Sequence, residues 1–374
     1  MTKLTTGAPG GTRRALSLAG ALAVAGLTVG AANDTRAEEL NVVCWGGAYT
    51  KSQQEAYYTP WEEQTGNTIN SIDYDGNVAP VKAQVESGNV TWDVVDVELS
   101  DAVRLCDEGL AELLPLDELP PAPDGTPAEE DFIPGTLHDC AVASIVWTNI
   151  YAYDTTVFPE NPPTTVADFF DLETYPGNRG LRRFAKANLE MALMADGVPA
   201  GEVYDVLSTP EGVDRAFAML DTIKDHVVWW EAGAQAPQLL ADGEVVMTTA
   251  YNGRIFNAIA SEDKPFKIVW DGQIWDLDLF VIPRDAPHKD LAWEFIKFAT
   301  STEPLAKQAE WISYGPARAS SVPLIGKHAE AGIEMGPHMP TSPENFTNAL
   351  QNDFLFWADH ADELNERFNA WLAQ

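Results

Sequence analysis

From Asn41 to Gly109 short apolar runs alternate with helix-length polar ones, and this order restricts the fold more than any other feature of the chain. Asn41-Val42-Val43-Cys44-Trp45 reads as a strand ended by Gly46-Gly47. Lys51 to Gln64 is polar with Ala56, Tyr57 and Trp61 on one side, and Gly66 closes it as a helix stop. Pro60 within it implies a kink or two short helices, because proline removes a backbone donor and crowds the preceding turn. Thr68 to Tyr74 and Trp92 to Val97 read as strands, and Asp101 to Glu108 as a helix capped by Gly109. Strand, helix, strand, helix predicts an α/β sheet with helices packed on its faces.

The N-terminus has the order of an export signal: Lys3, Arg13 and Arg14, then the apolar run Leu16–Val29, then small residues around Thr35-Arg36-Ala37. The run is shorter than the ~20 apolar residues that span a bilayer. Cleavage is expected after about Ala37, by a Sec route or, given the arginine pair, a Tat route. Residues 1–37 are therefore set aside. The whole chain carries a formal charge of −34, and the remainder keeps 19 basic and 56 acidic side chains, or −37. Nucleic acid is excluded as a partner, since phosphate binding needs a basic face, and an anionic membrane surface is disfavoured for the same reason. The acidity has two readings: the favoured one is a solvated surface that keeps the protein soluble, and the alternative is a field that attracts cationic solutes. Cys44, Cys106 and Cys140 give an odd count in an oxidising compartment. Cys44 lies in a strand-like run and is expected to be a buried thiol, which leaves Cys106 and Cys140 to form a disulfide. No histidine stands at ligand spacing from a cysteine, so no metal site is expected.

Asp117 to Pro134, rich in Pro, Asp and Glu, is expected to be a surface loop. Cys140 to Trp147, Val227 to Trp230, Val245 to Thr249, Ile268 to Trp270 and Leu277 to Ile282 read as strands. Thr165 to Phe170, Ala187 to Ala195, Ala234 to Ala241 and the segment around Leu291, Phe295 and Phe298 read as helices, as does the tail from Asn365 to Leu372. Thr209-Pro210-Glu211 is a helix start, a capping residue followed by proline in the first turn. About 340 residues exceed one ordinary core and suggest two lobes of ~150 each.

Catalytic motifs are absent: no G-x-S-x-G, no H-E-x-x-H, no phosphate loop and no dinucleotide fingerprint. The six histidines are scattered, and the twin Tyr57-Tyr58, a pairing compatible with a ferric site, sit in a helix where tyrosines more often pack. No catalytic residue and no cofactor are expected. The aromatic load is heavier, with 12 Trp and 10 Tyr. Several stand at strand ends beside acids or glycines: Trp45, Tyr251, Trp275 next to Asp276 and Asp278, and Tyr314. Open α/β sheets bind ligands at such ends, and aromatic faces with carboxylates suit an ammonium group.

In order and spacing, Trp45, Pro60-Trp61-Glu62-Glu63-Gln64-Thr65-Gly66, Trp92-Asp93-Val94-Val95, Glu108-Gly109-Leu110, Tyr251-Asn252-Gly253, Trp275–Pro283, Tyr314-Gly315-Pro316 and Gln351-Asn352-Asp353 resemble the spermidine/putrescine-binding branch of the solute-binding proteins of bacterial ABC importers. The resemblance implies a type II-like periplasmic binding fold of two α/β lobes, each a mixed sheet flanked by helices, with solute trapped in the cleft as they close. The lobes are expected to comprise 38–146 plus 276–312, and 147–275 plus 313–374. It further implies a monomer in the periplasm that hands its solute to a permease in the inner membrane. Trp45, Glu98, Tyr251, Asp276, Asp278, Tyr314 and Gln351 are the matched cleft positions, with Asp278 pairing an amine and the tyrosines as walls; Trp275 and Arg254 adjoin them. The chain departs from the pattern at Asp276, where an aromatic is expected, and at Arg182-Arg183-Phe184-Ala185-Lys186-Ala187, which carries cations in place of acids. A small amine of the polyamine class is the expected solute. The alternative is a zwitterion such as a γ-amino acid; a ferric-ion binder and a secreted enzyme are less favoured.

Overall fold

A computed structural model describes residues 37–374 apart from Asp75. The export signal expected over residues 1–37 lies, but for Ala37, outside the described residues. Among these, no helix is long and apolar enough to cross a membrane.

The strands are β1 (Glu39–Cys44), β2 (Thr68–Asp73), β3 (Val94–Glu98), β4 (Leu137–His138), β5 (Ala141–Asp154), β6 (Arg179–Arg182), β7 (Val227–Trp230), β8 (Met247–Tyr251), β9 (Phe266–Val281), β10 (Gly315–Pro316) and β11 (Ala349–Gln351). The main path of the sheet runs β2-β1-β3-β9-β5-β8-β6-β7, with β4 and β10 on β5 and β11 on β9. Its two ends are parallel, β1 with β2 and β3, and β6 with β7 and β8. The middle, where β3, β9, β5 and β8 meet, is antiparallel. Parallel pairs need helical crossovers and so lie buried between helices. The α/β alternation read from the sequence is present in both outer regions, but the helix Ala79–Ser87 and the strand β6 were not among the elements read there.

Two features of the middle were not expected. β9 is one strand of 16 residues where the sequence suggested two pieces. Its interruption is a bulge around Gly272 (φ 75°), where β9 skips residues opposite Asn149 and Tyr151 of β5; glycine tolerates this backbone because it has no Cβ. β5 likewise continues past Trp147 to Asp154. Both strands pass from one apolar core to the other. The first core gathers Val42, Val43, Val94, Val95 and Val97 with Ala141–Ala143 of β5 and Leu277, Leu279, Phe280 and Val281 of β9. The second gathers Tyr151 and Tyr153 of β5, Val269 and Ile274 of β9, and Leu181, Leu189, Leu193 and Phe368. Ala317, beyond the expected return at residue 313, packs in the first core.

Local signals behave as their chemistry requires. The Pro60 helix is continuous but changes pitch, from Gly47–Gln53 through a π-turn at Gln54–Tyr58 to Thr59–Thr65, which places the proline in the first turn of the last piece. The Thr209 side chain accepts the Gly212 N–H at 3.0 Å and starts the helix Pro210–Asp221. The C-terminal helix begins at Phe354, earlier than expected, because Asp353 accepts the Phe356 N–H at 3.0 Å and caps it there. A disulfide joins Cys106 to Cys140, and Cys44 is a buried free thiol.

Candidate functional site

In β3 the sequence Val-Asp-Val-Glu alternates, so Asp96 and Glu98 share a face; in β9 Asp276 and Asp278 do the same. Antiparallel register places Glu98 opposite Asp278 and Trp147 of β5 opposite Asp276. Four acids thus meet on one face where the strands cross between the two cores. Asp278 is 6 % exposed, and its Oδ1 accepts a 2.8 Å hydrogen bond from Trp147 Nε1. Among the described residues that is the side-chain donor it receives, and no lysine or arginine forms an ion pair with it. Burial, then Asp96, Glu98 and Asp276, push its pKa well up from the ordinary carboxylate value.

A cavity of about 90 Å³ opens beside Asp278. Its walls are aromatic: Trp45, Tyr49, Trp147, Tyr251 and Tyr314, with Glu98 and Arg254 as further charged groups. The rings brace one another edge-on, Tyr49 against Tyr314 at 5.6 Å and Trp147 against Tyr251 at 5.3 Å between centroids. Glycines seat them. A Cβ on Gly253 would stand 2.6 Å from the Tyr314 ring, and one on Gly76 would stand 2.3 Å from Trp45. The motif Tyr251-Asn252-Gly253-Arg254 therefore divides its work. Tyr251 ends β8 as a wall. Buried Asn252 accepts the Thr148 N–H at 3.1 Å and donates to the Ser313 carbonyl, tying β5 to the segment before Tyr314. Gly253 admits the tyrosine ring, and Arg254 leaves the helix Asn252–Glu262 toward the cavity.

Behind the walls Asp96 is fully buried, accepting from Tyr49 Oη at 2.8 Å and from Gln53 Nε2. Burial raises its pKa to about 7 against those hydrogen bonds. Asp276 has several partners: Asn352 Nδ2 at 2.7 Å, the Leu277 N–H at 2.8 Å and Lys186 Nζ at 3.4 Å. Burial raises it to about 6, with Lys186 pulling the other way. Lys186 also stands 3.6 Å from Glu98 Oε2.

Of the residues singled out from the sequence, Trp45, Glu98, Tyr251, Arg254, Asp278 and Tyr314 line the cavity. Trp275, Asp276 and Gln351 do not. Trp275 has the opposite parity from Asp276 and Asp278 on β9, so it faces away and packs on Phe346. Gln351 pairs with Trp275 on β11 and is exposed. Asp276 lies on the right face but is occupied by Lys186 and Asn352. The sequence reading missed Tyr49 and Trp147. Trp147 closes a run already read as a strand, but which of its faces met the acids depended on the register with β9. Tyr57 and Tyr58 are buried; Tyr58 Oη donates to Gln53 Oε1 at 2.6 Å and Tyr57 Oη to Gln308. Among the described residues no group of three or more His, Cys, Asp or Glu is arranged to hold a metal ion.

The chain is 44% identical over 353 residues to the gamma-aminobutyric acid-binding protein of Pseudomonas aeruginosa, covering 94% of this chain and 96% of that protein. The putrescine-binding periplasmic protein PotF of Escherichia coli matches at 24% over 120 residues, 30% of this chain and 32% of that one. The solved structure of the Atu4243 GABA receptor superposes with a TM-score of 0.75 at 30% identity, over 90% of this chain and 98% of that one. The fold is accordingly the mixed α/β, two-lobed periplasmic-binding-protein fold. The bacterial extracellular solute-binding protein family matches residues 56–341, and the chain belongs to that family.

Proposed function

We propose that this protein captures a short zwitterion of the γ-amino acid class outside the cytoplasm and delivers it to an ABC import permease. The observation that carries the reading is the presence of opposite charges in the wall of one small aromatic cavity: Asp278, buried without a counter-ion, and Arg254. Asp278 holds the ammonium, with Tyr251, Tyr314 and Trp147 offering ring faces to it. Arg254 takes the carboxylate, for which its fork of donors is suited. Trp45, Tyr49 and Glu98 complete the wall. A volume of about 90 Å³ is far below the ~300–1,000 Å³ of drug-sized ligand sites, which favours a compact solute. The two lobes meet where β5 and β9 pass between the cores, near residues 147–150 and 275–276, so closure would act directly on Asp278 and Trp147.

The sequence alone favoured a polyamine. What supports the zwitterion instead is Arg254 in the cavity wall, the engagement of Asp276 by Lys186, and the greater likeness to a protein named for gamma-aminobutyric acid than to one named for putrescine. Nothing in the cavity pairs a nucleophile with a base, so the site is read as one that binds without reacting. The test is thermal unfolding with 4-aminobutyrate or putrescine. At 100 times its Kd a ligand adds about 2.7 kcal/mol of stability. 4-Aminobutyrate is expected to raise the melting temperature and putrescine to leave it unchanged; the reverse result overturns the reading.

A further inference from the structure

Lys186 is the cation for which the proposed ligand has no use. Its side chain is 14 % exposed and its Nζ lies 3.6 Å from Glu98 Oε2 and 3.4 Å from Asp276 Oδ2. Both acids adjoin Asp278: Glu98 is its cross-strand partner, and Asp276 precedes it by two residues on the same face of β9. Cross-strand partners stand about 5 Å apart at Cβ, and same-face neighbours about 7 Å apart along a strand. The Lys186 ammonium therefore pairs with the two acids that neighbour Asp278, one across the strand pair and one along the strand from where the ligand ammonium is proposed to sit.

The backbone is built to hold it there. Ala187, next in the chain, has φ 74° and ψ −36°, a region that residues with a Cβ rarely adopt and that persists only where the surroundings impose it. Those surroundings are visible. Asn365 Oδ1 accepts the Ala185 N–H at 3.0 Å, and Asn188 Nδ2 donates to the carbonyls of Arg182 and Phe184 at 2.7 and 2.8 Å. A lysine serving only to neutralise surface acids would need none of this. Burial alone would lower its pKa, but Glu98, Asp276 and Glu190 more than reverse that, so the group stays protonated at physiological pH.

We propose that Lys186 is a specificity-determining residue, a tethered ammonium that occupies the place a second ligand ammonium would take and so excludes diamines from the cleft. It removes attraction by neutralising Glu98 and Asp276, and it adds repulsion against any second cation. Discrimination of this kind works through the penalty on the wrong ligand. The inference rests on the reading of the site as an amino-carboxylate cleft.

Calorimetry with 4-aminobutyrate, putrescine and butylamine on the parent, Lys186→Met and Lys186→Met with Asp276→Asn tests it. The parent should bind 4-aminobutyrate and bind putrescine at least 100-fold more weakly; a parent that prefers putrescine, or binds neither, overturns the functional reading and this inference with it. In Lys186→Met the affinity for putrescine should rise at least 10-fold, whereas the affinity for butylamine, which has one ammonium, should rise less. The double variant leaves only Glu98 to receive the second ammonium and should gain less, yet still exceed the parent. It also decides the matter should the single variant fail to fold, because it leaves no unpaired acid at position 276. With parental preference for 4-aminobutyrate intact, no gain for putrescine, or an equal gain for butylamine, overturns the role of Lys186 alone.

Discussion

Among the described residues, Arg179 and Asp278 are both buried without a counter-ion, and they are treated in opposite ways. Arg179, on β6 in the second core, is fully buried. Its Nε donates to the Phe169 carbonyl at 2.7 Å, Nη1 to Gly177 at 2.8 Å, and Nη2 to Tyr175 at 2.7 Å and Asp171 at 3.3 Å. Burial lowers its pKa to about 10, which still leaves it charged. Asp278, on β9 where the cores meet, receives one indole N–H and stands among other acids. Both are costly in principle. At Arg179 four carbonyls offset the cost within the chain, so the group knits a loop to a strand. At Asp278 the chain leaves the offset incomplete, and a cationic ligand can supply it. The lesson is that satisfaction, more than burial, separates a charge fixed within the scaffold from one left available to a ligand.

The contrast can be broken most forcefully at Arg179. Arg179→Met should strip donors from four carbonyls, two of them in buried hydrogen bonds, at ~1–3 kcal/mol for each buried group left unpaired, and lower the unfolding free energy by ~4 kcal/mol or more. Urea denaturation measures this, and a loss below ~1 kcal/mol would mean the carbonyls find other partners. At the cleft the pattern should invert. Asp278→Asn keeps the shape and removes the charge, so 4-aminobutyrate should bind ~2–4 kcal/mol more weakly, about 30- to 1,000-fold. Unfolding stability without ligand should stay level or rise. Arg254→Ala should cause a comparable loss for the zwitterion and none for butylamine, since the carboxylate is what it is proposed to hold; equal losses for both would place Arg254 in the scaffold.

The smallest effect expected is on pH dependence. Asp96 and Asp276 titrate near 7 and 6 in the folded chain, and Asp278 is raised as well, whereas an unfolded aspartate titrates at about 3.9. Between those values the folded state retains protons that the unfolded state has released. Stability therefore falls as pH rises through that window. The ligand-free melting temperature should drop by a few degrees from about pH 5 to pH 8, and Asp278→Asn should flatten the slope. A melting temperature that rises over the same range would show that these acids are better satisfied than Asp278's surroundings indicate.

Much of the local structure was legible in advance. Thr209-Pro210 started a helix and Gly109, at φ 63°, followed the end of one; each signal acts over a few residues and needs no distant partner. Of the aromatic and charged residues singled out at strand ends, most line one cavity. Trp275 shows the limit. It is as aromatic and as close to the acids in sequence as a wall residue should be, yet strand parity turns it onto Phe346.

What the sequence determined by itself was the alternation that makes an α/β sheet, the helix ends, the cysteine arithmetic, and the kinds of side chain available at the ends of strands. Only the tertiary structure decided that β5 and β9 run unbroken through both cores, that Trp147 and not Trp275 meets Asp278, and that Lys186 lies between Glu98 and Asp276. The reason is physical. Propensity and capping are properties of neighbours along the chain, whereas a shift of one residue in strand register exchanges every side chain between the two faces of a sheet. That register is set by pairing partners more than a hundred residues away.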